Sequence, residues 1–240
     1  MYGSFIISEL KKWLRDSMMR FMVFYPLLFG FIGRFLLPWI AGASGFSIDP
    51  YADLIVVMLA LLTPQLYGAL AGFSILEDRD DHVLSSIKVT PLSIHQFLSF
   101  RLVTVFILSL AACTFVIWFS DIGEIPVINI LAISFLASLA APVTGLLINA
   151  FSQNKIEGFA VMKGLGTIIA FPIIALFFMD ARELFFSFAP GFWPAKAISS
   201  IIRGEGLLLM TYNQYYFIGL VYVLILNIAV YRLFLSRTQE

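Results

Sequence analysis

The longest unbroken run of charge in this chain falls in one short stretch. Residues 77–91 read EDRDDHVLSSIKVTP, five charged residues in succession and then a half-apolar run that stops at a proline. An acidic run of this kind binds a divalent cation only if other ligands converge on it, and a solvated face is its ordinary role. The two histidines, His82 and His95, lie on or beside the stretch, and the single cysteine, Cys113, sits in an apolar run. With no His-rich or Cys-rich ligand set, no metal site is expected, and one cysteine excludes an intrachain disulfide. The chain has no G-x-x-x-x-G-K-[ST] phosphate loop and no G-x-S-x-G. No paired acids lie inside an apolar run, as an intramembrane aspartyl protease would need. No catalytic residue is assigned, and nucleic acid is not an expected partner.

On a helix, Leu76, Val83, Leu84 and Ile87 share one face, while Asp78, Asp81, His82, Ser85, Ser86 and Lys88 spread over the others. The acids cluster in the first turn and Lys88 near the end, as the helix dipole favours. Thr90-Pro91 ends the element, because a residue before proline avoids the α region. Ser93 with Gln96 fits a capping box, and Leu92 with Phe97 a hydrophobic staple, opening the next helix. A passive connecting loop is the plain alternative. The dipole-matched start and the defined stops suit a short rigid lever.

The elements around it follow from composition. The 240 residues are 60% hydrophobic and 12% charged, with mean hydropathy +0.95. Soluble domains carry about 25% charge, so the polar coating of a globule is lacking. Apolar runs of about 18 residues or more read as membrane-spanning helices, and the fold class is an all-α polytopic membrane protein. Six spans are expected at 21–40, 54–76, 97–119, 127–151, 159–179 and 217–234, in a single domain covering 1–240. Residues 4–19 place Ile6, Leu10, Trp13 and Leu14 opposite Glu9, Lys11, Lys12, Arg15 and Asp16, the pattern of a helix lying at the membrane interface. Residues 184–206 hold two short segments bracketed by Pro and Gly, expected to dip into the membrane or lie on it. The AGA at 41–43 resembles a signal-peptidase site, but the run before it is longer than a cleavable signal core. The first span is expected to be retained.

Orientation is read from Lys and Arg. With the amino terminus inside, the cytoplasmic face receives Lys11, Lys12, Arg15, Arg20, Arg79, Lys88, Arg101, Lys155, Arg232 and Arg237. The outer face receives Arg182, Lys196 and Arg203. Both termini and the 77–91 stretch are therefore expected in the cytoplasm, with a prokaryotic inner membrane as the location.

Polar groups within spans are few. Arg34 and Lys163 lie near span ends and can snorkel to headgroups. Near the middle of the second span is TPQLYG, Thr63 to Gly68, where Pro64 loosens the helix and Gln65 and Tyr67 can line a path. Core packing is an equal reading of those residues. Gly68 and Gly72 form a G-x-x-x-G close-packing motif.

The stretch LEDRDDHVLSSIKVTPLSIHQFLSFRL resembles the segment between spans two and three in permeases of the ABC type-2 exporter family, with their acidic start, TPLS core and basic residue opening the next span. ELKKWLRDSMMRFMVFYPLLFGFIG is similar to the family's entry helix and proline-bearing first span, and APGFWPAKAI to its segment before the last span. One departure is His82-Val83, where the family often has Gly-Thr. The resemblance implies that 77–91 is a coupling helix docking on a separate cytoplasmic ABC ATPase. Glu77, Asp78, Asp81, His82, Ser85, Ser86 and Lys88 would face that partner, with Pro91 closing the element. It further implies a second permease chain and a pathway along the second and fifth spans, past Pro64, Gln65, Tyr67, Lys163 and Thr167. ATP and Mg would be bound by the partner, and no cofactor by this chain. The cargo expected is a small amphipathic drug, antibiotic or lipid. An ion-coupled secondary transporter is the alternative, and ordinarily carries Asp, Glu or His within its spans; none falls inside the six runs. A non-transporting scaffold is a third reading, and would not need the lever.

Overall fold

The computed structural model describes residues 11–81 and 94–238. Six helices in it are long and apolar enough to cross a bilayer: Ser17–Ser44, Asp49–Asp80, Gln96–Ser120, Val127–Phe151, Lys155–Ala175 and Tyr212–Arg237. Each expected run therefore falls largely on one of these helices, and among the described residues there is no strand. In the first span α1 (Ser17–Phe31) passes through one π-helical turn, Ile32–Leu36, into α2 (Leu37–Ser44). The second and third spans are α3 (Ala52–Asp80) and α4 (Ile94–Ser120). The fourth is α5 (Val127–Ser138) and α6 (Ala140–Phe151), and the fifth α7 (Lys155–Ile168) and α8 (Ala170–Ala175). A further helix, α9 (Phe192–Arg203), precedes the last span, α10 (Tyr212–Thr238).

Prolines explain the breaks. A proline inside a helix lacks an N–H and clashes with the carbonyl four residues back. The fourth span breaks at Leu139, three residues before Pro142, and the fifth at Ile169, three before Pro172. Asn227 Nδ2 of the sixth span donates to the Leu139 carbonyl at 3.0 Å. Pro64 leaves α3 unbroken. The carbonyl it cannot serve, that of Ala60, instead accepts from Cys113 Sγ at 3.6 Å.

The most central helix is α3, which touches α1, α4, α5, α6, α7 and α9. Its close approach to α6 needs glycine. A Cβ on Gly68 would stand 2.5 Å from both the Ala141 carbonyl and Thr144 Cβ, and one on Gly72 3.0 Å from Ile148. The G-x-x-x-G thus packs two spans of one chain together. The first, fifth and sixth spans are mostly exposed, with Phe21, Phe24 and Phe31 on the first and Phe217 and Ile225 on the sixth, as lipid-facing helices are.

Two boundaries differ from the sequence reading. The expected entry helix 4–19 stops at Asp16, whose Oδ1 accepts from Met18 N (2.9 Å) and Met19 N (3.0 Å) and so caps α1. Residues 11–15 are helical and 17–19 belong to the first span, while 4–10 lie outside the described residues. Trp13 does not face lipid: it is 1% exposed, and its Nε1 donates to Ser74 Oγ at 3.2 Å. The lever does not begin at Glu77, because α3 continues unbroken to Asp80. Within the expected 184–206 segment, α9 is packed into the bundle. Every residue from Phe192 to Ser200 is buried, against α3, α5, α8 and α10.

Candidate functional site

At one end of the bundle, charges from four elements converge. Asp78, 5% exposed, pairs through Oδ1 with Lys12 Nζ at 2.5 Å and through Oδ2 with Arg101 NH1. Glu77 pairs with Lys12 (3.2 Å) and Lys155 (3.1 Å), and Lys155 also reaches Asp16 at 3.6 Å. The Met19 and Met18 amides, with Lys155, hold the Asp16 carboxyl below its usual range. Arg79 donates to the Ser152 carbonyl at 3.2 Å. The cluster thereby joins the entry helix, the end of α3, the start of α4 and the link from the fourth to the fifth span. A polar recess of about 690 Å³ opens beside it, lined by Lys11, Lys12, Arg15, Asp16, Glu77, Asp78 and Asp81.

The residues expected on the exposed lever are divided by this geometry. Asp78 is turned inward, a correction: the helix continues through it, and its phase points the carboxylate at Arg101 rather than at solvent. Glu77 is half-buried in the same cluster. Asp81, at the end of α3, is exposed. His82, Ser85, Ser86, Lys88 and Pro91 lie outside the described residues, as do Leu92 and Ser93 of the expected cap and staple.

The opposite end carries a second network that sequence reasoning missed. Glu183 and Lys196, both 0% exposed, pair at 2.6 Å. Tyr215 donates its hydroxyl to Glu183, and Lys196 Nζ donates to the Phe178 carbonyl at 2.6 Å. Burial pushes the Lys196 ammonium pKa down, and the Glu183 carboxylate opposes that shift. Asp53, 2% exposed near the start of α3, pairs with Arg203 at 2.6 Å and accepts from Ser199 Oγ at 3.0 Å. Asp53 immediately precedes the expected second span and lies within the helix that carries it. A lone buried charge is costly, whereas a paired and hydrogen-bonded one is tolerated. These pairs hold α9 against α3 and α10.

Between the two networks lie two hollows that share Gln65. One, of about 220 Å³, is walled by Leu61, Pro64, Thr144, Leu165 and Pro172 and roofed by Phe188, Pro190 and Pro194 of the outer segment. In it Thr144 Oγ1 donates to Gln65 Oε1 at 3.2 Å, and Gln65 Nε2 is a buried donor without a partner among the described residues. The other is a groove of about 370 Å³ between the first, second and fifth spans, where Gln65 and Lys163 face Tyr25, Leu66, Met162 and Ile173. Pro64, Gln65 and Lys163 thus line hollows. Tyr67 does not: it is 6% exposed and donates to the Val23 carbonyl at 3.2 Å, fastening the second span to the first. Thr167 is exposed on α7, its hydroxyl turned back to the Gly164 carbonyl at 2.6 Å. Arg34 of the first span pairs with Asp121, just past the end of α4.

The sequence matches, over residues 9–231, the family described as fluoroquinolones export permease protein Rv2686c-like. Two relatives from Mycobacterium tuberculosis are the fluoroquinolones export permease proteins Rv2686c (strain ATCC 25618 / H37Rv) and MT2760 (strain CDC 1551 / Oshkosh). Each is 31% identical over 197 residues, 79% of this chain and 78% of the relative. No solved structure matches the chain.

Proposed function

Because the chain belongs to the Rv2686c-like family of fluoroquinolone export permeases, we propose that it is the membrane-spanning subunit of an ATP-driven exporter. Membership makes it a multi-pass transport protein. The ATP-driven arrangement is supported by the resemblance of residues 76–102 to the coupling segment of ABC type-2 permeases. The 240 residues contain no phosphate loop, so a separate ABC ATPase supplies ATP, Mg and hydrolysis. The observation that carries the reading is the family match together with polar groups, Gln65 and Lys163, set in a hollow between the second and fifth spans.

The geometry suggests how work reaches the cargo. The ATPase docks on the cytoplasmic segment that begins at Asp81, with His82, Ser85, Ser86 and Lys88 as its contacts. Asp78 ties the inner end of α3 to Arg101 and Lys12, so a push there moves the entry helix, α3 and the start of α4 together. Twenty-nine residues of α3, about 43 Å at 1.5 Å per residue, carry the displacement past Gln65 to Asp53, which grips α9 through Arg203. Since α9 and the chain before it roof the inner hollow, the same movement loosens the outer lid. The cargo is a small amphipathic molecule of the fluoroquinolone class, moved outward from the inner membrane, and both termini are cytoplasmic. Two permease chains face each other, which accords with a fifth span whose helix α7 buries only Gly158 within its own chain.

Affinity purification of the chain in mild detergent, followed by native mass spectrometry, tests this. Two permease copies with two copies of an identified ABC ATPase, whose hydrolysis rises with added fluoroquinolone, are expected. A complex with no ATPase, or with one permease per ATPase pair, contradicts it.

A further inference from the structure

Lys163 is a cation out of place. It lies on α7 eight residues past Lys155, about 12 Å or two turns inside the first residue of the fifth span. Its side chain is exposed, and an ionisable group within a span is a candidate functional site. Four cations in or beside the spans are paired with carboxylates: Arg34 with Asp121, Arg101 with Asp78, Lys155 with Glu77, Lys196 with Glu183. Among the described residues no carboxylate pairs with Lys163. It opens instead on the groove it shares with Gln65.

The dimensions of that groove separate it from its neighbour. Drug-sized ligands occupy sites of about 300–1,000 Å³. The groove, at about 370 Å³, falls within that range, and the roofed hollow, at about 220 Å³, falls below it. Tyr25, Leu62, Leu66 and Ile173 give the groove apolar walls. At Gly166 an added Cβ would meet nothing within 4 Å, so the floor is open beside the lysine. An apolar slot with one cation and one amide suits a molecule with a flat hydrocarbon body and an anionic end.

Resting on the exporter reading, we propose that this groove is the cargo site and that it selects amphipathic molecules bearing a carboxylate. Lys163 pairs with the carboxylate, and the ring system lies against the aliphatic and aromatic wall. Lys163 is the specificity-determining residue.

The test is binding by the full chain in phosphatidylcholine nanodiscs, which hold no anionic headgroup to compete, followed by the fluorescence of norfloxacin and of its methyl ester. Lys163→Gln is expected to weaken norfloxacin binding at least tenfold and leave the ester unchanged, and Lys163→Arg to restore most of the acid's affinity. Equal loss of acid and ester would make the lysine merely structural. No loss of either would leave it a headgroup anchor. Both results overturn the proposal, as does a wild-type chain that binds neither compound. Charge-selective binding without ATP-dependent transport would instead sink the exporter reading while this site stands.

Discussion

Asp78 and Arg101 form an ion pair at 5% and 1% exposure, joining the last turn of the second span to the start of the third. They stand twenty-three positions apart in sequence, and the segment proposed for ATPase docking runs between them. A displacement of that segment therefore pulls on two spans whose ends are already joined.

The pair separates two substitutions that look alike in sequence. Asp78→Lys removes the carboxylate that Arg101 and Lys12 share and sets a third cation beside them, and breaking a buried pair costs about 3–5 kcal/mol. The variant is expected to lose thermal stability and yield in detergent. Asp81→Lys, at an exposed position, is expected to keep stability and insertion. Its ATPase co-purification falls, since like charges meeting at an interface cost several kcal/mol. A stable Asp78→Lys protein would show that the pair does not hold the spans.

At the outer end, Lys196→Met strands Glu183 in a site with no exposure. A loss of about 3–5 kcal/mol is expected from that single change. Glu183→Leu combined with Lys196→Met removes both charges, and should recover much of the loss. Chemical denaturation in detergent reads the difference. A double variant less stable than either single one would mean that Tyr215 and the Phe178 carbonyl, not the ion pair, set the energetics.

Topology is open to labelling, because the native thiol, Cys113, is 0% exposed. Ser47→Cys should react with an impermeant maleimide added to whole cells, and Ser236→Cys should react only after lysis. Both positions are exposed. Labelling of Ser236→Cys from outside would invert the assigned orientation.

Much of the architecture was legible in the sequence, because a span needs only a long apolar run, and all six stand within about two turns of their expected ends. The misread ends share a cause. Charges at 77–80 looked like the start of a connection, yet helix phase turns Asp78 onto Arg101 and Glu77 onto two lysines, so the helix continues. The proline breaks at Leu139 and Ile169 had a visible signal in Pro142 and Pro172. The outer network had none. Asp53 and Arg203 are 150 positions apart, and Lys196 read as an ordinary loop charge. Pairing across such distances depends on how α9 packs, which no local pattern encodes. Gln65 and Lys163 were legible as intramembrane polar groups, while Tyr67, on the same helix as Gln65, required the fold to show that it faces the first span.

The most direct measurement is fluoroquinolone accumulation in inverted membrane vesicles containing the chain and its ATPase. Uptake is expected to require ATP and Mg, to stop with orthovanadate, and to persist when a protonophore collapses the pH gradient. Uptake that runs on a proton gradient without ATP would contradict the exporter assignment, and would turn attention to Glu183 and Asp53 as the carboxylates of an ion-coupled carrier.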